Sequence, residues 1–171
     1  MQAMQKATYR KHLLAARARL SPAYKQAATH TVVERLQAEP AFQAARTIGI
    51  YWPLAHEPDL RPVITQDKHW ALPSNASGVY QFHAFNTHLI RQSDGCFSPK
   101  NSASIKTLDL MIVPCVGVDT DNYRLGRGGG VYDRLLQAYP CVSIGLAYAC
   151  QQVPRLPREP HDQPLKIVYL L

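Results

Sequence analysis

No stretch of this chain is apolar over enough residues to cross a bilayer. Its first residues are polar and basic, without the apolar core of a secretory signal. Both absences predict a cytoplasmic protein. Cysteine is sparse. Cys96, Cys115, Cys141 and Cys150 form no C-x-x-C pair, which speaks against a zinc site and leaves free thiols, some of them buried. His83 and His88 lie five apart with no third ligand near them, so they make no metal site. Internal repeats, linkers and runs of Lys or Arg are also missing. No Ser/His/Asp or Cys/His arrangement demands a protein nucleophile. Acidic residues are in deficit, with 12 Asp and Glu against 19 Lys and Arg, a net charge of +7. That excess calls for an anionic partner, and nucleic acid, nucleotides and other small polyanions all satisfy it.

What is present centres on residues 111–134, MIVPCVGVDTDNYRLGRGGGVYDR. The stretch opens apolar and β-branched, as a buried strand does. It turns polar, passes Gly126, Gly128, Gly129 and Gly130, and enters a helix-like run at Tyr132. Strand, glycine loop and helix in that order build a seat for phosphate. Glycines let backbone N–H groups approach an anion, and a helix N-terminus adds unpaired donors. Arg124, Arg127 and Arg134 add charge. No Gly-Lys-Ser/Thr follows, so this is not a Walker A loop. The glycine spacing also differs from the dinucleotide fingerprint.

Residues 3–19 read as a helix that sets Lys6 and Arg10 on one face. Ser21 and Pro22 cap a second helix over 22–38, with Val32, Val33 and Leu36 inward. Strands are predicted at 47–52, 69–73, 79–85 and 142–148, with a last short one near 167–171. Residues 86–107 read as loop with local structure. A helix follows the glycines to about Tyr139, where Pro140 ends it. Helices alternating with short strands predict an α/β fold. The expected form is one domain over 1–171, a mostly parallel open sheet flanked by helices, with the two N-terminal helices packing over the nucleotide site. Glu57 follows a strand end beside Tyr51 and Trp52, where open α/β sheets keep ligand sites.

The motif Arg124-Leu-Gly-x-Gly-x-Gly-x-Tyr132-Asp133-Arg134 resembles the signature of the 5-formyltetrahydrofolate cyclo-ligase family. The resemblance extends to Lys6-x-x-x-Arg10, Arg17-x-x-Leu20-Ser21, Ile144-Gly-Leu-Ala-Tyr148, Gln151, Leu156-Pro157 and His161-Asp162. It implies ATP-dependent closure of 5-formyltetrahydrofolate to 5,10-methenyltetrahydrofolate, with ATP as co-substrate and Mg²⁺ as metal. It also implies roles for residues. Lys6, Arg10 and Arg124 would clamp phosphates and serve catalysis. The backbone of Gly126, Arg127, Gly128, Gly129 and Gly130, with Tyr132, would hold ATP. Trp52, Glu57, Arg10 and Tyr132 would bind the folate, Glu57 accepting two pterin N–H donors side by side. Asp133 and Asp162 would hold Mg²⁺.

Two positions depart from the family pattern. Pro58 follows Glu57, and Val131 stands where the family carries Tyr or Phe beside Tyr132. The expected partners are ATP and a reduced folate acting on a monomer, with no membrane. Two rival readings survive the sequence. One is a nucleotide-binding regulatory module of the same fold without folate activity, which Pro58 and Val131 would suit. The other is a basic nucleic-acid-binding protein, disfavoured by the lack of any matching motif.

Overall fold

A computed structural model describes residues 2–65, 67–75 and 78–171. Helix α1 spans Gln2–Ala18 and α2 Pro22–Ala38. Between them the Ser21 hydroxyl accepts the Tyr24 N–H at 3.1 Å, and Pro22 occupies the first turn. The cap thus starts α2 where the sequence places it. A short helix α3, Pro40–Ala44, leads into strand β1, Thr47–Gly49.

The strands that follow are β2 (His69–Ser74), β3 (Gln81–Ala84), β4 (Leu89–Arg91), β5 (Phe97–Pro99), β6 (Leu110–Pro114), β7 (Gly117–Asp119) and β8 (Arg124–Leu125). Helix α4, Val131–Ala138, precedes β9 (Val142–Ala147), β10 (Gln152–Val153) and β11 (Ile167–Leu170). The main sheet has the order β11-β9-β6-β1-β2-β3. Every pairing in it is parallel except β2 with β3. The mostly parallel sheet is therefore as expected.

β6 explains why the sheet is buried on both faces. Leu110, Met111, Ile112 and Val113 are all fully buried, the continuous apolar run of a central parallel strand. Alternation sends Leu110 and Ile112 to one face, where Val32 and Leu36 of α2 pack with Ile48. Met111 and Val113 go to the other, against Leu135 of α4 and Phe82. Of the two opening helices, α1 reaches the cleft with Lys6 and Arg10, whereas α2 spends its apolar stripe on the sheet face. Helix α1 instead buries Leu13 against Val116, Leu125 and Leu156. A Cβ on Gly117 would lie 2.4 Å from the Leu13 side chain, so glycine there lets α1 lie directly on β7.

β7, β8 and β10 form a second small sheet. The local structure expected within residues 86–107 is an antiparallel hairpin of β4 and β5. No described helix is long and apolar enough to cross a membrane.

Candidate functional site

The strand order fixes where a ligand can enter. From β1 the chain adds β2 and β3 on one side, then returns to place β6, β9 and β11 on the other. The segments leaving β1 and β6 therefore diverge, and a crevice opens at their carboxyl ends. The cleft found there encloses about 400 Å³. Every residue given a binding or catalytic role above lines it: Lys6, Arg10, Trp52, Glu57, Arg124, Gly126, Arg127, Gly128, Gly129, Gly130, Tyr132, Asp133 and Asp162. The β4–β5 hairpin adds Asp94, Cys96 and Phe97, and Asn75 follows the end of β2.

One side is built around cations. Arg124 is buried on β8, and its Nη2 donates to Asp133 Oδ1 at 2.8 Å. Its guanidinium lies 5.7 Å from the Tyr132 ring centroid. Arg10 Nε donates to the Gly126 carbonyl at 2.8 Å, and Arg134 Nη2 to the Gly129 carbonyl at 2.9 Å. These bonds pin the glycine loop from both sides. Gly130 caps α4 with φ +61°, a left-handed conformation that glycine adopts without strain. The loop turns there and leaves the first N–H groups of α4 at the cleft. Arg127 is exposed, its Nη1 3.5 Å from Cys96 Sγ.

Lys6 is buried between two carboxylates, 2.6 Å from Glu159 and 2.7 Å from Asp162. Burial opposes its charge, but the bonds to Asp162 and Glu159 outweigh that and raise its pKa. Burial likewise works against the Asp162 carboxylate. The Lys6 bond and the Glu159 backbone N–H at 2.7 Å prevail and lower its pKa. Asp162 thus sits with Glu159 and His161, whose ligand atoms and its own lie within 4.8 Å of one another. Asp133 is paired instead with Arg124. Carboxylates are the hard oxygen donors Mg²⁺ takes. An ammonium already lies between two of them, so a cation fits this corner of the cleft.

The other side is aromatic with one carboxylate. Trp52 stacks on Phe85, centroids 5.9 Å apart at 18°. Glu57 is held by the Leu54 N–H at 3.0 Å, and its side chain is 6% exposed. Burial pushes the Tyr51 and Tyr132 hydroxyls well above their usual range and the Cys115 thiol up to about 12, so all three stay neutral. Arg124 Nε, Tyr132 OH and Asn75 Oδ1 are buried with no hydrogen-bond partner among the described residues. Buried polar atoms are rarely left so, and all three residues line the cleft.

Sequence reasoning missed Glu159, the second anion on Lys6. Its only signal was a place three residues before Asp162. It also missed Asp119, whose buried carboxylate accepts the Asp121, Tyr123 and Leu156 N–H groups and Arg158. That knot fastens the segment carrying Glu159 and Asp162 to the β7–β8 turn.

A model of the 5-formyltetrahydrofolate cyclo-ligase family matches residues 2–170. The 5-formyltetrahydrofolate cyclo-ligase of Haemophilus influenzae is 40% identical over 87 residues, 47% of this chain and 46% of that protein. The match thus spans about half the length of that relative. The NMR structure of Aquifex aeolicus 5,10-methenyltetrahydrofolate synthetase is similar with a TM-score of 0.85 at 29% identity, over 95% of this chain and 88% of that one. A 5,10-methenyltetrahydrofolate synthetase from Mycoplasma pneumoniae gives a TM-score of 0.72 at 25% identity, over 95% and 96% of the two chains.

Proposed function

The chain belongs to the 5-formyltetrahydrofolate cyclo-ligase family, and from that premise we propose that it closes 5-formyltetrahydrofolate to 5,10-methenyltetrahydrofolate with ATP, releasing ADP and phosphate. The carrying observation is one cleft with buried cations and a glycine loop on one side and a buried carboxylate beside stacked aromatics on the other.

The N5-formyl group is an amide, and N10 cannot expel its oxygen as oxide. The formyl oxygen attacks the γ-phosphorus of ATP, and ADP leaves. That oxygen is now part of a phosphate ester. N10 then attacks the formyl carbon, the C–O bond breaks, and phosphate departs with the oxygen. The N10 proton is lost as the ring closes. Such a reaction needs positioning and charge neutralisation rather than a protein nucleophile.

Lys6, Arg10 and Arg124 take the phosphate oxygens. For Lys6 and Arg124, phosphate replaces the carboxylates that hold them in the free protein. The backbone of Gly126 to Gly130 cradles the phosphate chain, and Tyr132 packs beside it. Glu57 accepts the pterin amino and ring N–H donors, while Trp52 covers the ring. Mg²⁺, held by Asp133 and Asp162, would offset charge on the transferring phosphoryl group. The protein acts as a monomeric single domain over residues 1–171, in the cytoplasm.

The test is near-ultraviolet absorbance of the purified protein with 5-formyltetrahydrofolate and Mg-ATP. An ATP-dependent rise of the methenyl product, absent without magnesium, is expected. A flat trace with intact ATP binding would favour a nucleotide-binding module without folate activity. Salt-sensitive binding to random nucleic acid without ATP binding would favour the third reading.

A further inference from the structure

Lys6, Arg10, Leu13 and Arg17 follow one stripe of α1, because four, seven and eleven residues are close to whole turns. Leu13 and Lys6 are buried, and Arg17 is 6% exposed. Lys6 and Arg10 line the cleft, whereas Arg17 does not. Arg17 lies three turns beyond Lys6, roughly 16 Å along the helix. There its Nη1 is 3.9 Å from Glu57 Oε1, with both side chains buried. That nitrogen is buried and has no hydrogen-bond partner among the described residues. Among the described residues, Arg17 is the cation within 4 Å of the Glu57 carboxylate.

We infer that Arg17 is a positioning residue for folate binding, acting from behind Glu57 without touching the substrate. This rests on the folate reading of Glu57 given above. Burying a carboxylate is costly unless a counter-charge faces it. Tyr51, Tyr132, Tyr148, Cys96 and Cys115 also feel the Glu57 charge, while Lys6, Arg10 and Arg124 line the same cleft without an ion pair to Glu57 among the described residues. The tyrosines and cysteines are neutral acids, so none of them supplies positive charge. The Leu54 N–H fixes Oε2 and Arg17 faces Oε1, which leaves the carboxylate one orientation toward the cleft. At 3.9 Å the guanidinium supplies charge without occupying a lone pair that the pterin needs. Because the same rigid helix carries Lys6 and Arg10, the folate anchor and the phosphate clamp keep a fixed spacing.

The experiment measures steady-state KM for 5-formyltetrahydrofolate and for ATP in wild type, Arg17→Gln, Arg17→Lys, Glu57→Gln and the Arg17→Gln/Glu57→Gln double variant. Circular dichroism checks each fold. Arg17→Gln is expected to raise the folate KM roughly tenfold, the size usual when a group that orients a binding residue is removed. The ATP KM should change less than about twofold, since Arg17 touches no phosphate. Arg17→Lys, which keeps the charge, should recover most of the loss. In the Glu57→Gln background, removing Arg17 should cost little more, because both act through one contact. If Arg17→Gln does not fold, Arg17→Lys carries the test, with a few-fold rise confined to the folate KM.

A wild type that turns over folate while Arg17→Gln keeps its folate KM, or loses both KM values equally, overturns the inference alone. Additive losses in the double variant overturn it too. A wild type with no folate turnover overturns the functional reading, and this inference with it.

Discussion

The two sides of the cleft are made differently. On the side proposed for phosphate each clamp cation already has an internal partner: Lys6 has Glu159 and Asp162, Arg124 has Asp133, and Arg10 has the Gly126 carbonyl. Phosphate binding there would exchange one acceptor for another, so the cations are held in place beforehand with little reorganisation. On the side proposed for folate, Glu57 has the Leu54 N–H and the more distant Arg17 guanidinium, with Trp52 stacked on Phe85 nearby in the fold. Binding there fills unused acceptor capacity and covers apolar rings. The first side trades charge and the second adds contacts. Damage to one should therefore appear in different kinetic constants from damage to the other.

Arg124→Ala breaks the comparison most severely. We expect kcat/KM to fall by about 10²–10³, the loss typical when a donor to developing charge is removed. Circular dichroism should show a folded chain, and ATP titration should show weakened binding. Glu57→Gln comes next and should act on the opposite side. Losing charge-assisted bonds of about 1.5–3 kcal/mol raises the folate KM by roughly tenfold to a hundredfold. The ATP KM should stay put in the same assay. Equal effects on both substrates would erase the distinction between the two sides.

Asp162→Asn sharpens the phosphate side further. It should shift the magnesium titration of turnover to higher concentration. It also tests the acid limb of stability. The folded-state pKa of Asp162 is lowered, so its contribution is present above the ordinary carboxylate range. That contribution is lost as pH falls through the folded value. Thermal melts of wild type should drop below about pH 4, and those of Asp162→Asn should drop less over the same window. Smallest is Val131→Tyr, which restores a ring at the first residue of α4 and should lower the folate KM by a few-fold, equivalent to about 1 kcal/mol of contact. Titrating folate at saturating ATP would show it.

The same contrast explains what could be read from the chain itself. The centre of the proposed phosphate side is contiguous: Arg124 through Asp133 runs from β8 through the glycine loop into α4, and only Lys6, Arg10, Glu159 and Asp162 come from elsewhere in the chain. Helix α2 was legible to the residue because Ser21 and Pro22 are unambiguous start signals. The folate side is assembled from the segment after β1, the end of β2 and the β4–β5 hairpin, which only the sheet order brings together. Residues 86–107 read as loop with local structure because two three-residue strands, Leu89–Arg91 and Phe97–Pro99, are too short to carry a periodic signal. Arg17 and Glu57 stand forty residues apart, and nothing local marks them as partners. Glu159 was invisible for a similar reason, since its partner Lys6 lies at the other end of the chain. Family resemblance supplied Glu57 and Asp162; spacing alone left both as a capping acid and a turn residue.

The central claim is that both substrates meet in this cleft and that the formyl oxygen leaves as phosphate. The direct measurement is turnover of 5-formyltetrahydrofolate labelled with ¹⁸O in the formyl group, followed by mass spectrometry of the released phosphate. One ¹⁸O per phosphate, matched one for one with methenyl product, is the expected result. Methenyl product accompanied by unlabelled phosphate, with the label in water, would contradict the account.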